Sequence, residues 1–192
     1  AVTNYGCAIL SIMVPDKDGK YANVVLSYGT LDALMHGPEP FLSTTIGRYG
    51  NRIAKGKFTL YGEEHSLTIN NGPNSLHGGP TGFHARVWDA EQLEEGVIRF
   101  NYTSADGEEG FPGNLEVEMT YRLEEEENAI VIEYRATTDK ATVVNLTNHG
   151  FFNLAGTANP TPTVENNIVT INADFYTCLL YTSPSPRDST SS

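Results

Sequence analysis

The sequence predicts an all-β protein built as an antiparallel β-sandwich. The stretch 115-LEVEMTYRL-123 alternates strictly: Leu115, Val117, Met119, Tyr121 and Leu123 share one side, and Glu116, Glu118, Thr120 and Arg122 the other. That two-residue period belongs to a strand with one face on a core. Short apolar runs recur along the chain, separated by Gly, Asn, Asp and Pro turns, the spacing of a sandwich. No segment keeps a helical period for three turns.

Taken in order, residues 9–14 and 21–27 flank 15-PDKDGK-20, whose Asp-Gly marks a hairpin. Residues 57–60 and 65–69 flank 61-YGEE-64, a second hairpin with Gly62 free to take positive φ. Residues 86–91 and 96–104 form a further pair. The alternating strand 115–123 runs into 124-EEEEN-128 and returns as 129-AIVIEYRAT-137. The four glutamates read as a solvated hairpin tip, because nothing in the sequence constrains them around a cation. The segments 70-NNGPNSLHGGPTG-82 and 104-SADGEEGFPG-113 are long glycine-rich loops, the place where a rigid β scaffold carries its binding groups.

One stretch conflicts with itself. In 143-VVNLTNHGFFNLAG-156, Val143, Val144, Leu146, Phe151, Phe152 and Leu154 read as a buried strand. Asn145, Thr147, Asn148, His149 and Asn153 interrupt it, and buried polar groups cost free energy unless each finds a partner.

Composition narrows the function. The chain has 192 residues, 39% of them hydrophobic, with 10 Tyr and 8 Phe, enough for a packed core. A net charge of −12, from 24 acidic and 12 basic residues, argues against nucleic acid and anionic membrane surfaces as partners. No apolar run approaches the roughly 20 residues that span a bilayer. The two cysteines, Cys7 and Cys178, have no CxxC or Cys/His spacing, which argues against a metal site and fits a reducing, cytoplasmic setting.

Three polar clusters stand out. The first, 47-GRYGNRIAKGKF-58, holds Arg48, Asn51 and Arg52 beside glycines; the second, 74-NSLHGG-79, holds His77; the third holds His149. Each alone has an ordinary structural reading: a surface loop with arginines, a turn histidine, a satisfied core histidine. Together they offer many donors and acceptors and few apolar contacts, which suits a ligand covered in hydroxyls. A histidine can also donate a proton to a reacting oxygen near neutral pH. Nothing points to nucleophilic catalysis, since GxSxG is missing, and Gly78-Gly79 lacks the surroundings of a phosphate loop. Read from its residues alone, the chain is a β-sandwich with a polar, histidine-containing site for a polyhydroxylated small molecule.

The segments GRYGNRIAKGKF, 74-NSLHGGPTGFHARVW-88, 106-DGEEGFPGNLEVEMTYRL-123 and 145-NLTNHGFFNLAG-156, in this order, resemble the aldose 1-epimerase (galactose mutarotase) family. The resemblance covers residues 4–176. It implies a galactose mutarotase-like supersandwich, no metal or organic cofactor, a small-molecule sugar substrate, and interconversion of the α and β anomers of free hexoses such as galactose and glucose. It implies that His149 is the general acid that protonates the sugar ring oxygen. His77 would assist catalysis and bind sugar near that oxygen, and Asn51 and Arg52 would hold sugar hydroxyls. Asn145 and Asn148 are expected to serve the structure, closing strand edges. Gly150-Phe151 departs mildly from the family pattern and keeps the aromatic ring.

The resemblance stops after Tyr176, where 178-CLLYTSPSPRDSTSS-192 has no family counterpart. We therefore expect residues 1–177 to be part of a mutarotase-like domain and residues 178–192 an unrelated tail. The family's catalytic glutamate is expected beyond Tyr176, leaving this chain without its base. A hexose-6-phosphate epimerase would call for a basic phosphate pocket, and a non-catalytic sugar binder has no need of a general acid.

Overall fold

The computed structural model describes residues 1–158, 163–165 and 167–172. The boundary expected at 177/178 and the tail from Cys178 lie outside the described residues. Strands dominate, as the alternation predicts. The first hairpin joins β1 (Met13–Pro15) to β2 (Tyr21–Asn23). It is shorter than its apolar runs predict because the flanking residues pair elsewhere: the Ile9 N–H donates to the Ser43 carbonyl, and Val25 bridges Phe152. Among the described residues, short 3-10 turns and one six-residue α-helix, α1 (Leu31–His36), capped by the Thr30 hydroxyl, depart from an all-strand reading. The helix is too short to show a period.

Next come β3 (Thr45–Ile46) and β4 (Arg52–Ile53), then the hairpin β5 (Lys57–Leu60) with β6 (Glu63–Ser66). Its loop is only Tyr61-Gly62, with φ of 50° and 87°, a tight primed turn. Glu63 and Glu64 are therefore strand residues rather than turn residues, and Glu64 pairs with Lys57. A two-residue strand, β7 (Ser75–Leu76), follows.

The largest sheet is a four-stranded antiparallel meander of β8 (Asp89–Glu94), β9 (Val97–Ser104), β10 (Leu115–Glu124) and β11 (Ala129–Thr138), in the order β11-β10-β9-β8. Strand β8 begins three residues later than the sequence predicts. Residues 86–88 instead meet the N-terminal segment: the Gly6 N–H donates to Arg86 and the Trp88 N–H to Asn4. Leu115, Val117, Met119 and Tyr121 of β10 are buried, but Leu123 is 48% exposed. It lies past the last β9 partner, Val97, where the hairpin runs beyond the core.

The core gathers those β10 side chains with Phe100, Trp88, Phe83, Ile9, Val25 and Cys7. Fully burying each large apolar side chain contributes about 1.5–3 kcal/mol. Phe83 meets Trp88 and Tyr102 edge-to-face at 5.4 and 5.6 Å, geometry that adds to burial alone. Among the described residues no helix is long and apolar enough to cross a membrane.

Candidate active site

Residues 45–53 connect the three polar clusters. On one side β3 pairs antiparallel with β12 (Thr147–Asn148), and Tyr49 bridges Asn145. On the other side β4 pairs with β7, Arg52 opposite Leu76. Backbone hydrogen bonds thus draw 145–149 and 75–77 to the two edges of one short segment. Gly78 completes the approach: at φ +84° it turns the chain so closely that a Cβ would collide with the Gly47 carbonyl.

The ring centroids of His77 and His149 lie 5.0 Å apart, at 84° to each other. The Asn51 N–H donates to His77 Nδ1 at 2.9 Å, and the His77 N–H returns a bond to the Asn51 carbonyl. An accepting Nδ1 leaves the proton on Nε2, so His77 is a neutral imidazole with a free N–H donor. Burial pulls its pKa down to about 4, and the nearby basic groups His149, Arg52 and His84 push the same way. The backbone of His149 is held at both ends: its N–H donates to the Thr44 carbonyl, and its carbonyl accepts from the Ser43 N–H. Its ring stacks on Phe151 at 5.0 Å. Asn51 and Arg52 stand at the exposed rim, where Asn51 Oδ1 accepts from the Arg52 N–H and Arg52 Nε donates to Asn71 Oδ1.

The structure corrects the reading of 143–156 as a buried strand. Only Thr147 and Asn148 are strand residues, and Val144, Phe152 and Leu154 are 42%, 48% and 71% exposed. The amides are there for local reasons. Asn145 Nδ2 donates to the Gly50 carbonyl, and Asn148 Nδ2 donates to Tyr121 Oη, which donates onward to the Cys7 carbonyl. Both therefore act as structural groups. Asn153, buried, caps its own turn by accepting from the Ala155 N–H.

Arg48 also departs from its reading as a surface arginine. It is 2% exposed, and its guanidinium donates to the Ser104 hydroxyl and to the carbonyls of Ser104, Ala105, Pro112 and Gly113. Burial lowers its pKa, and Glu108 and Asp106 oppose that. The loop 104–113 is consequently packed around a buried cation, and its glutamates are engaged: Glu108 accepts from Tyr102 and Ser104, Glu109 from Thr81.

Two site residues escaped the sequence reading. Phe41 places its ring 4.8 Å from His77, 4.6 Å from His84 and 6.0 Å from His149. His84, 3% exposed, makes a third histidine in the group, its pKa also drawn down to about 4 by burial. A lone Phe after Pro40 carries no sequence signal, and the turn glycines at 78 and 79 drew attention to His77 alone.

The depressed pKa values of His77 and His84 have a consequence for stability. Both groups bind protons less readily folded than unfolded, where 6.5 is ordinary. Their contribution is complete above about 6.5 and is lost as pH falls toward 4. The lowered carboxyls Asp16, Asp106 and Asp139 start from 3.8 and matter only below that. The urea midpoint should therefore fall steadily between pH 6.5 and 4. A flat midpoint across that window would contradict the neutral assignment of both histidines.

The profile of the aldose 1-epimerase family matches residues 1–189. Mouse galactose mutarotase is 45% identical over 175 residues, covering 91% of this chain and 49% of the relative. The chain belongs to the aldose 1-epimerase family. The aldose 1-epimerase of Escherichia coli K12 is 40% identical over 173 residues, 90% of this chain and 49% of that protein. The chain spans about half the length of the curated relatives it matches. Among solved structures, the Caenorhabditis elegans GalM/aldose epimerase homologue superposes with a TM-score of 0.74 at 31% identity, covering 79% of this chain and 46% of that one. Galactose 1-epimerase from Lactobacillus acidophilus gives 0.69 at 32%, covering 80% and 45%. The mutarotase-like β fold of this epimerase-family chain is thereby established.

Proposed function

We propose that this chain forms the acid side of an aldose 1-epimerase site, acting on the anomers of free aldohexoses such as galactose and glucose. The observation that carries this is the approach of His77 and His149 to 5.0 Å, from segments 72 residues apart. In this reading His149 protonates the ring oxygen while a base removes the proton from the anomeric hydroxyl. The bond from the anomeric carbon to the ring oxygen breaks and an open-chain aldehyde forms. Rotation beside the aldehyde, then closure with both protons returned, gives the other anomer. His77, neutral at physiological pH, donates its Nε2–H to an oxygen near the ring oxygen, and Asn51 and Arg52 hold outlying hydroxyls.

Several features support placing the base outside the described residues. The groups that act electrostatically on His77 are His149, Arg52 and His84, none of them a carboxylate. Glu64, Glu108 and Glu109 are already engaged with Lys57, with Tyr102 and Ser104, and with Thr81. Polarimetry on freshly dissolved α-glucose tests the proposal. The 192 residues alone should not outpace buffer, whereas galactose should shift the NMR signals of His77 and His149 saturably. Acceleration would mean that this chain holds its own base, and unmoved histidine signals would remove the sugar site.

A further inference from the structure

The three imidazoles share one neighbour. The ring of Phe41 meets His77 and His84 edge-to-face, at 73° and 64°, and lies near-parallel to His149, at 30°. The turn that carries it is held firmly. The Phe41 carbonyl accepts from both the Thr44 N–H and the Thr44 hydroxyl, and the Phe41 N–H donates to Glu39. Ser43, wholly buried at φ 57°, bends the chain so that Ser43 and Thr44 grip the backbone of His149. Phe41, Ser43 and Thr44 thus set where His149 sits and what its ring faces.

We propose that Phe41 is a positioning residue of this site: its ring fixes the angle between His77 and His149 and keeps water from the inner edge of His77. This rests on the reading of the two histidines as a sugar site. Physically, two rings packed edge-to-face restrain each other's plane, which apolar bulk without a ring does not do. An apolar ring against His77 also disfavours its charged form by desolvation. His77 then stays a donor through Nε2, and the proton-donating role is left to His149. The charged or titratable groups acting on His77 are His149, Arg52 and His84; those acting on His84 are Glu109 and Arg86.

The test is nitrogen-15 NMR of the histidine rings in the 192-residue chain, with Phe41→Leu and Phe41→Tyr. Leucine keeps the apolar bulk and removes the ring; tyrosine keeps the ring. In Phe41→Leu the His77 pKa should rise by about one unit, tenfold in proton affinity, with a mixture of tautomers. Phe41→Tyr should retain the Nε2–H form and the low pKa. A leucine variant that folds and titrates like the parent would overturn the proposal, as would a tyrosine variant that titrates like leucine. If leucine prevents folding, Phe41→Met, which also removes the ring and keeps apolar bulk, takes its place with the same expected and overturning outcomes. Galactose added to the parent separates the two ideas: histidines that ignore sugar remove the site reading and leave the effect of Phe41 on His77 standing.

Discussion

Replacing His149 with alanine in an aldose 1-epimerase that carries this half should lower turnover about 10²–10⁴-fold, the usual worth of a positioned general acid. Sugar affinity should change far less. The reason for the split is local. The His149 backbone is held by Thr44 and Ser43 through main-chain groups that alanine keeps. The other proposed sugar contacts, His77, Asn51 and Arg52, are tied to one another and to Asn71 without using the His149 side chain. The variant should therefore fold, bind sugar and fail at the proton transfer. Polarimetry for turnover and sugar titration for affinity measure the two separately. Wild-type turnover would end the assignment of His149 as the acid, and equal losses in binding and turnover would make it a binding group.

Replacing Arg48 with methionine should destabilise the fold by about 3–5 kcal/mol, the scale seen when one side of a buried charged network is removed. Methionine keeps much of the apolar stem. It leaves the carbonyls of Ser104, Ala105, Pro112 and Gly113, and the Ser104 hydroxyl, without the donor they share. A buried acceptor stranded in this way costs about 1–3 kcal/mol. Arg48→Lys should recover only part of the loss, since one ammonium cannot reproduce a planar fork reaching four carbonyls. Urea unfolding of the three proteins measures this. A loss under about 1 kcal/mol for methionine would mean that the loop 104–113 holds its shape without Arg48.

Much of the β architecture is legible in one dimension because a strand writes its two faces into alternate residues. Leu115 to Tyr121 show this, and their buried side is the core. Turn chemistry is equally local: Gly62 and Gly19, at φ 87° and 77°, take the left-handed backbone that closes each hairpin. The limits are also physical. Leu123 continues the alternation but lies past the end of β9, though still paired with β11. Phe152 and Leu154 are as apolar as core residues yet exposed, because periodicity names a face without saying what covers it.

The polar site divides along the same line. By itself the sequence determined that His77, His149, Asn51 and Arg52 are unusual, since histidines, amides and glycines crowd into short segments of an otherwise alternating chain. Only the tertiary structure decided that residues 45–53 bring two of those segments together, that Arg48 is a buried clamp while Arg52 faces solvent, and that Phe41 and His84 complete the histidine group. The acceptors that hold Arg48 are backbone carbonyls, which every residue possesses, and the contacts of Phe41 are with rings 36 to 108 positions away. Neither leaves a local pattern, because hydrogen-bond partnership and burial depend on which distant segments meet in space.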